Sequence, residues 1–269
     1  MSSSVNSKQV AVITGGSSGI GLETAKILSR TCVVYVLSRK KFQFDGLKHI
    51  CADVCDDSSV SNAISKVIEE EGKIDILVTC AGSGISGAVE FTDIADVTKQ
   101  VDVVFKGTVN AVHAVLPQMR KQKSGRVVCV SSVAAVAPIP FQTYYSASKS
   151  AVNTFVCATA NEVRPYGITI CAVMPGDTKT GFTASRKKIE KGDEEYSGRI
   201  SKSVRRMEED EKNGVPAEKV GKYIADKSFA TRVKPLYTVG FSYKLITVAL
   251  KVLPTRFANW VLYKMYASE

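Results

Sequence analysis

The feature that most constrains this chain is a glycine turn set between an apolar run and a helix. Gln9 to Thr14 is β-branched and apolar, Gly15, Gly16, Ser17, Ser18, Gly19, Ile20 and Gly21 follow, and helical periodicity takes over from Ile20. Glycines at 15, 19 and 21 remove the Cβ atoms that would keep an anion away from the backbone, and the free amides at a helix N-terminus attract negative charge. Gly15, Ser17, Ser18, Gly19, Ile20 and Gly21 are therefore candidate phosphate-binding residues. The spacing is Gly-x-x-x-Gly-x-Gly and departs from the Gly-x-Gly-x-x-Gly dinucleotide fingerprint.

A strand that turns into a helix in this way is the first unit of an alternating α/β fold, and the rest of the chain repeats the pattern. Val33 to Ser38, Ile74 to Thr79, Arg126 to Ser132 and Thr169 to Met174 read as further strands, apolar nearly throughout. Ile20 to Ser29, Ser58 to Glu70, Val97 to Lys121 and Thr143 to Val163 read as the helices between them. Strands without polar alternation are covered on both faces, which predicts a doubly wound parallel sheet with helices on each side. A length of 269 residues, 45% of them apolar, suits a single domain. Within it, the charged stretch at about 181–215 reads either as a mobile lid over a substrate cleft or as a solvated helix.

Composition narrows the function. The formal net charge is +10, but the basic residues are dispersed among acids with no nucleic-acid-binding motif, so no nucleic acid partner is expected. Seven cysteines, mostly inside apolar runs, suit a reducing compartment, and the cytoplasm is the expected location. Neither they nor His49 and His113 show metal-ligand spacing, so no metal site is expected. Met1 to Lys8 lacks the apolar core of a signal peptide, and Phe241 to Val252 is too short and too interrupted by lysine to span a bilayer.

Two further clusters carry chemistry. At the end of the second strand, where a dinucleotide fold using NAD places an acid for the ribose 2′-hydroxyl, this chain has Ser38, Arg39 and Lys40. Arg39 can meet a 2′-phosphate with a planar charged fork, and Ser38 adds a donor, so NADP(H) is favoured over NAD. Farther along, Tyr145 and Lys149 stand four residues apart in a predicted helix, and Ser132 closes an apolar strand. That spacing puts the phenol and the ammonium on one face, where the cation is expected to lower the phenol's pKa, so that Tyr145 exchanges a proton while Ser132 holds a substrate oxygen. Tyr144 has only Ser148 one turn on and reads as a packing residue.

These motifs resemble the short-chain dehydrogenase/reductase superfamily up to about residue 240. The resemblance implies a Rossmann-like sheet of about seven strands. It also implies Asp53 and Val54 as adenine contacts, Cys80, Ala81 and Gly82 as backbone contacts to the cofactor, and Pro175, Gly176, Thr178 and Thr180 around the nicotinamide. Ser132, Tyr145 and Lys149 become the catalytic set, Lys149 also binding the nicotinamide ribose, and a homodimer or homotetramer forms through the Val97 to Lys121 and Thr143 to Val163 helices. The chain departs from the family pattern at Cys80, where an asparagine is usual, and at Val104, where the family has a fourth catalytic residue, also an asparagine. Asn110 cannot replace it, since six positions along a helix rotate by roughly 240°.

The tail from Leu236 to Tyr266 is rich in apolar and aromatic residues, Phe241, Leu245, Leu250, Phe257 and Trp260 among them. This extension, about 241–269, is expected to roof a cleft for an apolar carbonyl or alcohol of steroid, keto-lipid or 3-oxoacyl type, or to form an oligomer contact. A peripheral membrane face is a less favoured alternative. The expected activity is hydride transfer between NADP(H) and that substrate, and the rival is an NADP-binding sensor or scaffold whose catalysis has lapsed.

Overall fold

A computed structural model of the protein describes residues 8–268. Of the N-terminal stretch read above as lacking a signal peptide, all but Lys8 lies outside the described residues. The first half runs β1 (Gln9–Thr14), α1 (Gly19–Leu28), β2 (Cys32–Ser38), β3 (Leu47–Cys51), α2 (Asp57–Glu71), β4 (Ile76–Thr79), a two-residue β5 (Ile85–Ser86), α3 (Ile94–Val101) and α4 (Gly107–Gln122). Then come β6 (Gly125–Val130), α5 (Thr143–Val163), β7 (Ile168–Met174), β8 (Thr178–Lys179), the single turn α6 (Phe182–Ser185) and β9 (Lys187–Lys188). The chain closes with α7 (Arg199–Lys212), β10 (Val215–Pro216), α8 (Ala217–Phe229), β11 (Leu236–Thr238), α9 (Phe241–Val252) and α10 (Thr255–Tyr266).

Seven strands form one sheet in the order β11-β7-β6-β4-β1-β2-β3, every pair parallel. The expected doubly wound architecture is therefore present. Alternation along β1 shows how both faces are used: Val10 and Val12 enter a core with Val60, Ile64, Val112, Val115 and Val156 of α2, α4 and α5, whereas Ala11 and Ile13 enter another with Ala25, Leu28, Val220 and Ile224 of α1 and α8. Strand order reverses at β1, whose neighbours are β4 and β2, so the crevice beyond the carboxyl ends of these strands is the topological switch point.

Several boundaries differ from the expectation, and each for a local reason. β3 was not anticipated because Leu47–Cys51 is an edge strand, half exposed and interrupted by Lys48 and His49. The long helix expected over Val97 to Lys121 starts earlier and passes through a π-helical turn at Asp102–Lys106, the kind of irregularity that re-aims one residue within a helix. The charged stretch at 181–215 contains α7, a helix anchored through buried Ile200, Ser203, Val204 and Met207. Among the described residues no helix is long and apolar enough to cross a membrane.

Candidate active site

At the switch point the backbone of two strands comes into close contact. β1 and β4 end side by side, with Thr14 paired to Thr79, so Gly15 leaves β1 directly against Cys80 and Ala81. Its φ is +67°, and a Cβ there would lie 2.6 Å from the Ala81 nitrogen. A Cβ on Gly21 would lie 2.4 Å from the Gly15 carbonyl oxygen. Side chains at these positions would fill the cradle in front of α1. The Ser18 side chain caps none of the first-turn amides of that helix, which leaves them available to a phosphate. The cradle, the bare amides and the basic turn described next fit a dinucleotide.

The turn after β2 is fixed by Ser38, whose hydroxyl donates to the Lys40 carbonyl at 3.0 Å and stands 3.0 Å from His49 Nε2. Arg39 is exposed and makes no ion pair among the described residues. Across the crevice, Asp53 Oδ1 accepts from the Cys55 amide at 3.0 Å, and the buried Asn110 donates through Nδ2 to the Val54 carbonyl at 2.8 Å. Asn110 thus braces the loop carrying Asp53 and Val54, across 56 positions of sequence. No local pattern announces such a contact.

The candidate catalytic residues lie where β6 meets α5. Ser132 caps a 3₁₀ turn, its hydroxyl accepting from the Ala134 amide at 3.1 Å. Tyr145 and Lys149 stand one turn apart in α5, with Lys149 Nζ 5.7 Å from the centre of the Tyr145 ring and donating to the Val130 carbonyl at 2.7 Å. Burial lowers the Lys149 ammonium to about 8. Burial also pushes the Tyr145 phenol up to about 12, against the downward pull of the Ser132 hydroxyl. The expectation of a phenol lowered by Lys149 is thus corrected: burial is the largest influence on Tyr145, and the phenol keeps its proton through neutral pH. Tyr144 is turned away, donating to the Val89 carbonyl at 3.1 Å.

The two departures from the family pattern have physical explanations. Cys80 packs beneath Gly21, and burial holds its thiol up at about 12, so it behaves as a small neutral core residue. Val104 is fully buried in the core shared by α2, α4 and α5, and its carbonyl accepts from the Thr108 hydroxyl at 2.9 Å. An asparagine in that position would bury an amide among apolar side chains. Its neighbour Val103 faces the crevice instead.

The far side is closed by the C-terminal helices. A Cβ on Gly176 would lie 2.2 Å from the Tyr243 ring, and the Tyr243 hydroxyl both donates to the Asp177 carboxylate and accepts from the Asp177 amide at 3.1 Å. Thr178 Oγ1 donates to the Gly176 carbonyl, while Thr180 Oγ1 accepts from the Phe182 amide, shaping the segment below. Phe182 packs its ring 5.6 Å from that of Tyr145. All the residues proposed from sequence line one cavity of about 780 Å³, together with apolar side chains of α9 and α10 from the extension expected to roof a cleft, and with Asp177, Phe182 and Glu211, which sequence reasoning does not assign. At one end it presents backbone, at the other hydrocarbon.

The profile of the short chain dehydrogenase family matches residues 9–191. A 3-ketodihydrosphingosine reductase from Bacteroides thetaiotaomicron is 40% identical over 244 residues, covering 87% of this chain and 91% of that protein. Among solved structures, a short-chain dehydrogenase from Streptomyces avermitilis superposes with a TM-score of 0.84 at 23% identity over 98% of both chains. Another from Burkholderia cenocepacia, in complex with NADP, gives a TM-score of 0.75 at 18% identity over 98% of this chain and 99% of that one.

Proposed function

The chain belongs to the short-chain dehydrogenase family, and from that premise we propose that it reduces the ketone of a long-chain, lipid-like substrate with NADPH. The observation that carries this reading is the continuity of the cavity, from the glycine turn, past Ser132 and Tyr145, to an apolar roof. The family is one of oxidoreductases acting on alcohols and ketones with a nicotinamide cofactor. The Bacteroides relative is named for a keto-lipid, and the roof of α9 and α10 suits an alkyl chain.

In this reading Gly15, Ser17, Ser18, Gly19, Ile20 and Gly21 hold the pyrophosphate, Asp53 and Val54 border the adenine, and Cys80, Ala81 and Gly82 offer backbone to the ribose. Pro175, Gly176, Thr178 and Thr180 cradle the nicotinamide. Ser38 and Arg39 select the 2′-phosphate and hence NADP over NAD. Bound NADPH supplies the hydride that adds to the ketone carbon. Ser132 holds the ketone oxygen with a hydrogen bond that strengthens as negative charge gathers there. Tyr145, kept protonated by its burial, delivers its proton to the same oxygen, so that hydride and proton together convert ketone to alcohol. Lys149 keeps a positive charge one turn from the phenolate left behind. The homodimer or homotetramer that the resemblance implies would pair through the Val97 to Lys121 and Thr143 to Val163 segments, which meet in the half-buried, edge-to-face pair Phe105 and Phe155.

The test is NADPH oxidation with a long-chain ketone such as 3-ketodihydrosphingosine, in the wild type and in Tyr145→Phe. Loss of the proton donor should lower kcat by about 10²- to 10⁴-fold while NADPH affinity stays within about twofold. Equal rates in the two proteins would end the reading and leave a dinucleotide-binding protein without chemistry.

A further inference from the structure

The helices α9 and α10 are apolar on two sides. Their inner side carries Thr247, Ala258 and Leu262, all buried. On the outer side of α9, Phe241, Leu245, Val248 and Val252 recur at steps of four, three and four, one stripe of a helix, and are exposed by 77, 57, 60 and 80%. The outer side of α10 adds Phe257 and Trp260, stacked with ring centres 5.8 Å apart and exposed by 48 and 53%. A contiguous apolar face of this kind marks a surface that something covers.

Charge narrows what that is. Lys244, Lys251, Arg256 and Lys264 stand in the same two helices, and from Phe241 to Tyr266 there is no aspartate or glutamate. A second copy packed on this face about a twofold axis would set cations against cations with no carboxylate in either helix to offset them. An anionic lipid surface supplies the missing charge. Each helix has 12 residues, and so a length of about 18 Å against a hydrocarbon core of about 30 Å. Helices of that length, apolar on one stripe and basic beside it, lie along the interface.

The outer face is also continuous with the cavity. Ile246, Leu253 and Met265 are exposed by 41, 37 and 45%, and the same three side chains line the cavity that contains Tyr145. We propose that α9 and α10 form a docking face for an anionic lipid bilayer, and that a lipid-like ketone passes from the bilayer between these side chains to Ser132 and Tyr145. Docking stands on the geometry of the two helices; the passage of substrate rests on the reductase reading.

Cosedimentation of the full chain with vesicles tests both parts. The wild type should bind vesicles of phosphatidylcholine containing phosphatidylglycerol, bind phosphatidylcholine alone more weakly, and be released by salt. Two variants change only residues that do not line the cavity: K244E/K251E/R256E/K264E and L245S/V248S/V252S/W260S. Each should lower the partition coefficient at least about tenfold, with thermal unfolding and NADPH binding unchanged. Both should also lose turnover of a long-chain ketone held in vesicles while keeping the wild-type rate on a water-soluble ketone. If no ketone is reduced by any form yet vesicle binding follows this pattern, the reductase reading fails and docking stands. Absence of wild-type binding to anionic vesicles, binding indifferent to both variants, or a dimer in sedimentation velocity that the serine variant dissolves would overturn the docking face.

Discussion

The two ends of the cavity are built from different materials, and they tolerate change differently. The dinucleotide end is made of backbone in close approach: Gly15 lies against Ala81, Gly21 against the Gly15 carbonyl, with no room for one more carbon. The roof is made of side chains on α9 and α10, several of them exposed on their outer faces. Backbone fixed by neighbouring strands cannot shift to admit a methyl group, whereas a half-exposed side chain can move into solvent. The comparison breaks first at Gly15. Its left-handed φ costs any other residue about 1–2 kcal/mol, and the clash with Ala81 adds about 1–3 kcal/mol. Gly15→Ala should therefore lose about 2–5 kcal/mol in denaturant unfolding and most of its NADPH affinity. Val252→Ala, on the outer roof, should change stability by less than about 0.5 kcal/mol. Similar losses at the two positions would show that the roof is as rigid as the cradle.

A smaller effect isolates the charge at the dinucleotide end. Among the described residues the Arg39 side chain makes no ion pair, so Arg39→Ala should leave the melting temperature alone. It removes a charge-assisted contact worth about 1.5–3 kcal/mol, which weakens NADPH binding about tenfold or more and leaves NADH binding unchanged. Parallel losses for both cofactors, read by fluorescence titration, would mean that Arg39 does not meet the 2′-phosphate.

The same contrast explains what the sequence made legible. β1, Gln9–Thr14, and α5, Thr143–Val163, have their expected limits because each is set by local pattern, an unbroken apolar run in one and helical periodicity in the other. The glycine turn, Ser132 and the pair Tyr145 and Lys149 were recognisable for a related reason: their spacings along one strand or one helix are those their proposed chemistry requires. Asn110 on Val54 and Tyr243 on Gly176 and Asp177 were not recognisable, since each contact joins segments more than 50 residues apart. Nor was the state of Tyr145, because it depends on what the folded chain places around the phenol, the Phe182 ring of α6 and the Glu211 charge of α7 among them, and not only on the helix that carries it. The tail was readable as apolar, but only the folded chain sorts its residues into an inner and an outer side.

Tyr243 reaches across from the roof to Asp177 by hydrogen bonds, beside the segment proposed to cradle the nicotinamide, so it tests whether the two ends act separately. Tyr243→Phe keeps the ring against Gly176 and removes the hydroxyl, at a net cost of about 0.5–1.5 kcal/mol. For a chain of this size the melting temperature should fall by about 2–4 °C per kcal/mol. The KM for a long-chain ketone should rise severalfold with little change in NADPH affinity. An equal loss of cofactor affinity would join roof and cradle into one cooperative unit.

The smallest expected effect concerns Lys149, which stands where the two ends meet. Its ammonium, lowered by burial to about 8, is charged at neutral pH and loses that charge as pH rises, while Tyr145, pushed up to about 12, stays protonated throughout. A cation beside a phenol makes it the better acid, so ketone reduction should be level in kcat/KM below about 8, fall to half near that pH and decline beyond it. Lys149→Arg keeps a positive charge at every pH in this range, because guanidinium does not deprotonate there. Whatever rate that variant retains should show no fall near 8. A level wild-type profile, or the same decline in the arginine variant, would place the titrating group elsewhere and leave burial alone, without the lysine charge, to govern the phenol.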